Sequence, residues 1–351
     1  MQMHIYHLRA LSPFHLGERG IGLEASDVVA HADTLFSALC SVGREFYGVS
    51  WVEDWLGAFQ QSPPFWLSSA FPQLGDGWLR LYPRPLDSPP GVGAGDDATV
   101  KRLKTVELVS ESIFLKWVKG DSLAMELPQK EEAQPPLLHD AHVWVTRNEM
   151  AALQEHGMTD RKGQPILWKK EDVPRVTVDR IRSKSQVYQA GRVTFQPSGG
   201  LWLGFVWGQD AELSSQIEVL LEVMGHAGIG GERSSGHGQF KVVSSEVVDL
   251  PDPVQRCVML SLYWPRTDSE AAALTDSRAA YKLLVRRGWI GSPEGRTLRR
   301  KAVRMVAEGS VLPGEPRPTG GLADVTPDAL TAHRVYRYGY ALPVGMAGGA
   351  A

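Results

Sequence analysis

A glycine-rich stretch with an arginine and two serines at its centre carries the clearest chemical signal in the chain. It runs Gly228-Ile-Gly-Gly-Glu-Arg-Ser-Ser-Gly-His-Gly-Gln-Phe240 and contains five glycines. Glycine adopts positive φ and lacks a Cβ, so successive backbone N–H groups can converge on an anion. Arg233 adds a positive charge, and Ser234 and Ser235 add hydroxyl donors. The stretch predicts a loop that binds a phosphate backbone.

The elements around this loop argue against the common nucleotide-binding motifs, which lead from a strand into a helix. Here the helix comes first, with Gly225 placed to end it, and a strand begins at Phe240. The apolar residues that recur with helical spacing are Leu213, Ile217, Leu220, Leu221 and Met224. The loop is therefore expected to join a helix to a strand, with its glycines facing outward.

A second candidate for chemistry is His31, which precedes a predicted helix with Asp33 as its N-cap. Imidazole titrates near neutral pH and could act as a general base on a ribose 2′-hydroxyl. A metal-free ribonuclease needs a further proton donor or cation, and neither His7, His15 nor His237 can be assigned that place. The simpler interpretation is that His31 binds the helix end or a phosphate.

Arginine and lysine also cluster in a predicted hairpin between Arg175 and Phe195. Cations can follow phosphates while an aromatic such as Tyr188, or an apolar side chain such as Ile181 or Val187, contacts bases, which is typical of single-stranded RNA binding. No pattern predicts a metal site or a cofactor, and the carboxylates do not gather. We therefore expect a binding protein rather than an enzyme.

Composition sets the remaining limits. The 351 residues are 43% hydrophobic and 22% charged, which is typical of a globular protein of about two domains. A net charge of −3 requires that any nucleic-acid surface come from local clusters. The two distant cysteines, Cys40 and Cys257, and the absence of a signal or membrane segment predict a cytoplasmic protein.

The order of predicted strands and helices along the chain indicates an α+β fold with two units. The first, residues 1–250, has the order strand, helix, long insertion at about 75–200, strand, helix, strand, which a ferredoxin-like sheet gives when its middle is elaborated. The second, residues 254–345, begins after Pro251-Asp-Pro253 and is expected to hold a strand near Cys257–Tyr263, a helix over 269–287 and a strand over 335–342. On that last strand Tyr336, Tyr338 and Tyr340 share a face, and core packing is favoured over base stacking.

These segments resemble the RAMP superfamily (repeat-associated mysterious proteins), and within it the fourth Csm subunit of type III-A CRISPR effector complexes. The resemblance covers nearly the whole chain. The segments that carry it are 31–39, 174–180, the glycine loop 228–238, 300–310 and 335–340.

The resemblance implies two ferredoxin-like (RRM-like) domains, the first with a thumb β-hairpin, and no catalytic role, cofactor or metal. It implies that the subunit holds the 5′ repeat-derived handle of the CRISPR RNA (crRNA) and bridges the Cas10/Csm1-type large subunit to the Csm3-type backbone. The residues expected to line the handle site are His31, Thr34, Arg175, Asp179, Arg180, Arg182, Lys184, Ser185, Tyr188, Gly230, Gly231, Arg233, Ser234, Ser235, Gly236, His237, Gly238 and Gln239.

Two other hypotheses stay open. Shared RAMP features allow a Cas6-like endoribonuclease that uses His31 as general base on repeat RNA. The basic segments could also bind only protein, in a structural adaptor.

Overall fold

The structure is a computed structural model that describes residues 1–17, 26–91, 103–128, 135–156, 159–160, 163–179, 184–208, 211–295 and 297–347. It is an α+β fold, as the sequence predicts. The strands of its first part are β1 (Gln2–Ala10), β2 (Phe65–Leu67), β3 (Phe71–Leu74), β4 (Leu79–Pro83), β5 (Leu108–Ser110), β6 (Leu137–Leu138), β7 (Val143–Trp144), β8 (Trp168–Asp179), β9 (Lys184–Phe195), β10 (Gly199–Trp207) and β11 (Phe240–Asp249). The helices are α1 (Ala32–Tyr47), α2 (Val49–Gln61), α3 (Glu111–Lys119), α4 (Arg147–His156), α5 (Ala211–Ala227) and α6 (Asp268–Ala272).

One large sheet organises the first part of the chain. Its strand order is β11-β1-β10-β3-β4-β5-β7-β6, and β2 also pairs with β10. The long strands β1, β10 and β11 pair antiparallel, with His4 opposite Phe205 and Met3 opposite Val248. Helix α1 follows β1 and helix α5 follows β10, so both helices connect strands of the same sheet. Strand β10 reads as an almost continuous apolar run because most of its residues are buried.

The hairpin predicted between Arg175 and Phe195 is present. Strands β8 and β9 pair antiparallel from Trp168–Phe195 at the base to Asp179–Lys184 at the far end. The base is attached to the rest of the molecule by an isolated bridge between Phe14 and Val193. Trp168 and Phe195 are buried there, so the hairpin extends from a packed base.

Two details of the predicted helices are corrected. Helix α5 continues past Gly225 to Ala227, and a Cβ at Gly225 would lie 2.5 Å from the carbonyl oxygen of Phe240. Gly225 therefore permits close packing of helix and strand, whereas Gly228, with φ of 78°, follows the helix end. The helical spacing of Leu35, Leu39, Val42 and Phe46 predicts one buried stripe on α1. Phe46 is instead 55% exposed, whereas the other three residues and Phe36 are buried.

The C-terminal part contains short strands instead of the helix expected over 269–287. Its strands are β12 (Arg256–Met259), β13 (Leu283–Arg286), β14 (Val303–Val306), β15 (Val311–Pro313), β16 (Gly320–Asp324), β17 (Tyr336–Tyr340) and β18 (Pro343–Met346). Helix α6 has only 5 residues and is closed by a capping box between Thr267 and Glu270. The rest of the expected helix is a 3₁₀ turn, a loop and β13, in which exposed Leu283 and Val285 alternate with more buried residues.

The two parts share one hydrophobic core. Val258, Tyr338, Tyr340 and Val344 of the C-terminal part belong to the same buried cluster as the residues of α1 and the large sheet. The hydroxyl of Tyr338 accepts a hydrogen bond from the backbone N–H of Leu67 at 2.8 Å. The prediction that Tyr338 and Tyr340 pack rather than stack on bases is thus confirmed.

Among the residues that the structure describes, none forms a helix with the length and apolar character needed to cross a membrane.

Candidate functional site

The first turn of α1 is held by residues from elsewhere in the chain. His31 occupies the N-cap position but makes no side-chain cap, and the N–H of Ala32 donates to the hydroxyl of Ser69 at 2.9 Å. That hydroxyl donates in turn to the Glu308 carboxylate, which also lies 2.8 Å from Nδ1 of His31. Asp33 is therefore not the N-cap predicted from sequence, because α1 begins at Ala32 and Asp33 lies inside its first turn.

Asp33 is instead the centre of a buried ion cluster. Arg286 donates from Nε and Nη2 to the two oxygens of Asp33 at 3.0 and 2.9 Å, and Arg337 donates to the same carboxylate. Burial by itself raises the pKa of Asp33, but the two guanidinium groups overcome this and hold its pKa well below the usual range. Thr34 accepts a further hydrogen bond from Arg286 at 3.1 Å. The start of α1 is thereby joined to β13 and β17.

A third arginine, Arg300, lies beside this cluster and forms no ion pair with any carboxylate that the structure describes. Burial, and then the positive charge of Arg337, lower its pKa to about 10. Its Nη1 donates to the hydroxyl of Ser37 in α1 at 3.2 Å. His31, Thr34 and these arginines therefore form the contact between α1 and the C-terminal part.

The glycine-rich loop makes a tight turn with an exposed tip. Arg233–Ser235 forms a 3₁₀ turn, flanked by Glu232 at φ of 56° and Gly236 at φ of 80°. Arg233, Ser234, Ser235 and Gly236 are exposed, whereas His237 and Gly238 are buried. The residues suited to a phosphate are thus presented at the tip, and the ends of the loop are packed.

The glycines at the ends of the loop do not face outward as predicted, because a strap formed by residues 11–16 lies against them. A Cβ at Gly230 would come within 2.3 Å of the carbonyl oxygen of His15, and one at Gly238 within 2.0 Å of that of Ile229. The N–H of Gly231 donates to His15, and that of Gly238 donates to Pro13, both at 2.8 Å. These glycines allow the close approach of backbones that fixes the loop.

The same strap also contacts the hairpin near its base. Nδ1 of His15 lies 2.6 Å from the carbonyl oxygen of Gly191 in β9, and a Cβ at Gly231 would meet the His15 ring. His15 therefore fills the space between the loop and the hairpin. The N–H of Gln239 donates to the hydroxyl of Ser12 at 2.9 Å, which attaches the end of the loop to the start of the strap.

Charged side chains of the hairpin and the loop meet directly. Nη1 of Arg175 lies 3.8 Å from Oε2 of Glu232. Burial, followed by the positive charge of Arg175, lowers the pKa of His237, and Arg192 acts in the same direction. Arg192 also forms an ion pair with Glu171 at 3.0 Å. The hairpin and the glycine loop, which are remote in sequence, are therefore in contact through charged side chains.

Residues on the hairpin divide between its two faces. Tyr188 stands opposite Arg175 in the ladder, and both are partly buried next to the loop. On the other face Val176 stands opposite Val187, and these side chains are 56% and 63% exposed. Ser185 is exposed near the far end.

Not all of the predicted site residues gather at this surface. The backbones of Asp179 and Lys184 pair at the end of the hairpin, and Arg180, Ile181 and Arg182 lie outside the described residues. His31 and Thr34 contact the C-terminal part instead, and their contact with RNA stays a prediction. Sequence reasoning missed Glu232 and His15, which join loop, strap and hairpin; a histidine in a strand-to-loop segment gives no signal for this role.

Within the ranges that the structure covers, no group of three or more histidine, cysteine or carboxylate side chains is arranged to hold a metal ion. The loop and hairpin surface offers cations, hydroxyls and backbone N–H groups. Such groups bind the oxygens of a polyanion.

Comparisons with known proteins give matches both to the C-terminal part and to nearly the whole chain. Residues 253–346 match the family described as the CRISPR Csm4 C-terminal domain. A protein of Thermococcus onnurineus (strain NA1) named CRISPR system Cms protein Csm4 is 27% identical over 323 residues, which cover 91% of this chain and 92% of that protein. A protein of the same name from Mycobacterium tuberculosis (strain CDC 1551 / Oshkosh) is 26% identical over 331 residues, covering 92% and 91%.

Solved structures show the same fold. A chain of the crystal structure of the Csm3-Csm4 subcomplex in the type III-A CRISPR-Cas interference complex aligns with a TM-score of 0.65 and 18% identity, covering 99% of this chain and 100% of that one. A chain of the Csm1-Csm4 cassette in complex with AMPPNP aligns with a TM-score of 0.57 and 19% identity, with both chains fully covered. Residues 253–346 therefore match a Csm4 C-terminal domain, and the chain resembles proteins named Csm4 along almost its whole length.

Proposed function

We propose that this chain is the non-catalytic subunit of a type III-A CRISPR effector complex that holds the 5′ repeat-derived handle of crRNA. The handle would lie on the surface formed by the exposed tip of the glycine loop, residues 233–236, and the adjoining face of the hairpin. The observation that carries the proposal is the contact between the two basic segments, made by Arg175 and Glu232 at 3.8 Å.

The charges of this surface support RNA as its ligand. Arg175 and Arg192 reach the loop from the hairpin, and Arg233 is exposed at the tip. The three arginines form a cluster on a chain whose net charge is −3; Glu232 and Glu171 partly balance Arg175 and Arg192, and Arg233 is exposed. Phosphates attract such clusters, and hydroxyl and backbone N–H donors complete the contact.

The fold supports placing the chain among RAMP proteins. The strand order β11-β1-β10-β3, with a helix after β1 and another after β10, is the order expected of a ferredoxin-like unit with an insertion between its second and third strands. The hairpin β8–β9 would be the thumb of that insertion. Its exposed Val176–Val187 pair is suited to contact bases while the opposite face follows the loop.

The environment of His31 favours binding over catalysis. Its side chain is 7% exposed, and Nδ1 faces the Glu308 carboxylate at 2.8 Å. A general base must come within hydrogen-bond distance of the proton that it abstracts. The buried pair with Glu308 therefore weighs against the Cas6-like alternative.

The bridging role rests on the relatives. Solved chains of the same fold come from Csm3-Csm4 and Csm1-Csm4 assemblies. We infer that this chain likewise contacts a Csm3-type backbone subunit and a Csm1-type (Cas10) large subunit.

The proposal is tested by the affinity of the full chain for an RNA oligonucleotide that carries the repeat-derived 5′ segment of the crRNA from the same genome. Arg175→Ala and Arg233→Ala should each weaken binding about 10-fold, as expected for the loss of one charge-assisted contact. Each should also reduce the salt dependence of the affinity by about one phosphate contact.

The matched control is Arg278→Ala. This exposed arginine lies in the C-terminal part and pairs with Asp276 at 2.7 Å. Equal affinities for the wild-type chain, both test variants and the control would refute the proposal. Metal-independent cleavage of repeat RNA that His31→Ala abolishes would instead establish the nuclease.

A further inference from the structure

A second exposed surface lies on the C-terminal part, on and beside β13. Exposure alternates along this segment, and four large apolar side chains face solvent: Tyr281 at 40%, Leu283 at 48%, Val285 at 39% and Trp289 at 51%. Arg286, which lies between Val285 and Trp289 in sequence, and Ile290, which follows Trp289, are buried. Leu283 and Val285 lie on one face of β13, and Tyr281 and Trp289 flank the strand. Such a group of exposed apolar side chains marks a binding surface.

Arginines border this row. Arg304 of β14 stands directly opposite Val285, and Arg287 and Arg299 are exposed beside Trp289. The guanidinium of Arg299 lies over the Trp289 ring, 4.7 Å from its centroid. The indole therefore already presents its face to a planar group.

These cations are not neutralised within the part of the chain that the structure covers. No ion pair is found there for Arg287, Arg299 or Arg304, whereas the nearby acids have partners elsewhere: Glu294 pairs with Arg44, and Asp328 with Lys301. The β13 surface, defined as Tyr281, Leu283, Val285, Arg287, Trp289, Arg299 and Arg304, thus combines three positive charges with two aromatic rings.

We propose that the β13 surface binds single-stranded RNA, independently of the loop and hairpin. Aromatic rings on a sheet stack on unpaired bases, and the interspersed arginines contact phosphates. A ligand that is both polyanionic and rich in planar groups matches both features at once. Because stacking does not depend on base identity, binding here should be largely sequence-independent.

The test uses the full chain and a fluorescein-labelled oligouridine of roughly 12 nucleotides, within the range of site sizes common for single-strand binding. It is performed in the background Arg175→Ala/Arg233→Ala, so that the loop and hairpin contribute little. In that background Trp289→Ala and Tyr281→Ala should each lower the affinity about 5-fold or more. Arg299→Ala should reduce the salt slope by about one contact.

The control is Trp78→Ala, which removes an indole that is 53% exposed in the turn between β3 and β4. It should leave the affinity unchanged. As a second measurement on unmutated protein, an oligonucleotide containing 4-thiouridine should crosslink to a peptide from residues 281–304, so the result does not depend on a variant that fails to fold.

Two outcomes would overturn the proposal. One is an unchanged affinity in Trp289→Ala and Tyr281→Ala together with no crosslink to residues 281–304. The other is that these variants lose assembly with partner subunits while oligouridine binding persists, which would assign the surface to a protein partner. Failure of either kind leaves the handle site untouched, because that site is measured with its own RNA and its own variants.

Discussion

The role of Asp33 in the structure differs from the role that its position in the sequence predicts. An aspartate next to a helix start is a natural N-cap candidate. Here its partners, Arg286 and Arg337, are 253 and 304 residues away in sequence. The sequence of α1 gives no indication of these partners. It predicts that Asp33 caps its own helix, whereas in the fold Asp33 pairs with two arginines of the C-terminal part.

Replacing this carboxylate should be costly. Asp33→Asn leaves two arginines in a buried site without their counter-charge, and the free energy of unfolding should fall by about 3–5 kcal/mol. Denaturant unfolding of the full chain measures the change. The control is Asp54→Asn, at an exposed position on α2, which should change stability by less than about 0.5 kcal/mol. A loss at Asp33 no larger than that at Asp54 would mean that the ion cluster contributes nothing.

The pair formed by His31 and Glu308 predicts a pH dependence. Burial favours the neutral imidazole, but the charge of Glu308 outweighs it, so the pKa of His31 is raised above 6.5. The carboxylate, opposed by burial but favoured by His31, has a pKa lowered below 4.5. A raised histidine pKa stabilises the fold fully below 6.5 and less as pH rises through the folded value; a lowered glutamate pKa stabilises it above 4.5.

The stability difference between the wild-type chain and His31→Gln should therefore be largest between about 4.5 and 6.5 and should decline at higher pH. Urea unfolding at a series of pH values checks this. A difference that stays constant from pH about 5 to about 9 would contradict the assigned protonation of the pair.

At the scale of elements, the glycine loop illustrates two separate reasons for glycine. Gly236 and Gly238 have nearly the same φ, 80° and 79°. A Cβ at Gly236 would meet nothing within 4 Å, whereas one at Gly238 would lie 2.0 Å from the carbonyl oxygen of Ile229. Gly236 is required by conformation alone, and Gly238 by conformation and space.

This pair gives a matched prediction. Gly236→Ala should destabilise the protein by about 1 kcal/mol, the cost of a left-handed residue with a Cβ. Gly238→Ala should cost clearly more, because the backbone of Ile229 must move. Thermal unfolding of both variants compares them. Equal losses would show that the close packing of the loop has no energetic weight.

Elements with a strong local pattern were predictable. Strand β10 follows from the apolar run Leu201–Trp207 and helix α5 from helical spacing, and both are present, as is the hairpin predicted between Arg175 and Phe195. The prediction of a helix over 269–287 was wrong because tertiary contacts determine the conformation of this segment. Arg286 points inward to Asp33, whereas Leu283 and Val285 are exposed. In sequence, Leu283-Leu284-Val285 is a continuous apolar run followed by two arginines, so the period of the apolar residues could not distinguish a strand from a helix.

At the scale of the whole molecule, the two parts are joined more closely than a linker after residue 250 suggests. They share the core around Tyr338 and Tyr340, and the cluster at Asp33 joins them again. Segments 31–39, 300–310 and 335–340, which the sequence marked separately, meet in this contact. The sequence identifies these segments but does not predict that they contact one another, because ion pairs between distant residues produce no periodic pattern in the sequence.

The candidate site, like the contact between the two parts, was only partly predictable from the sequence. Its two basic segments were apparent from composition and glycine content, and their contact is now described through Arg175 and Glu232. The part played by His15 and the strap was not, because it depends on shape complementarity with Gly231 and Gly191.

The most direct test of the account is photocrosslinking of the crRNA 5′ handle within the assembled effector complex. Handle RNA with a photoreactive base at each successive position is incorporated, and crosslinked peptides are identified by mass spectrometry. We expect crosslinks to the loop tip at residues 233–236 and to the hairpin at residues 184–188. Crosslinks confined to other surfaces of this chain, or to other subunits alone, would contradict it.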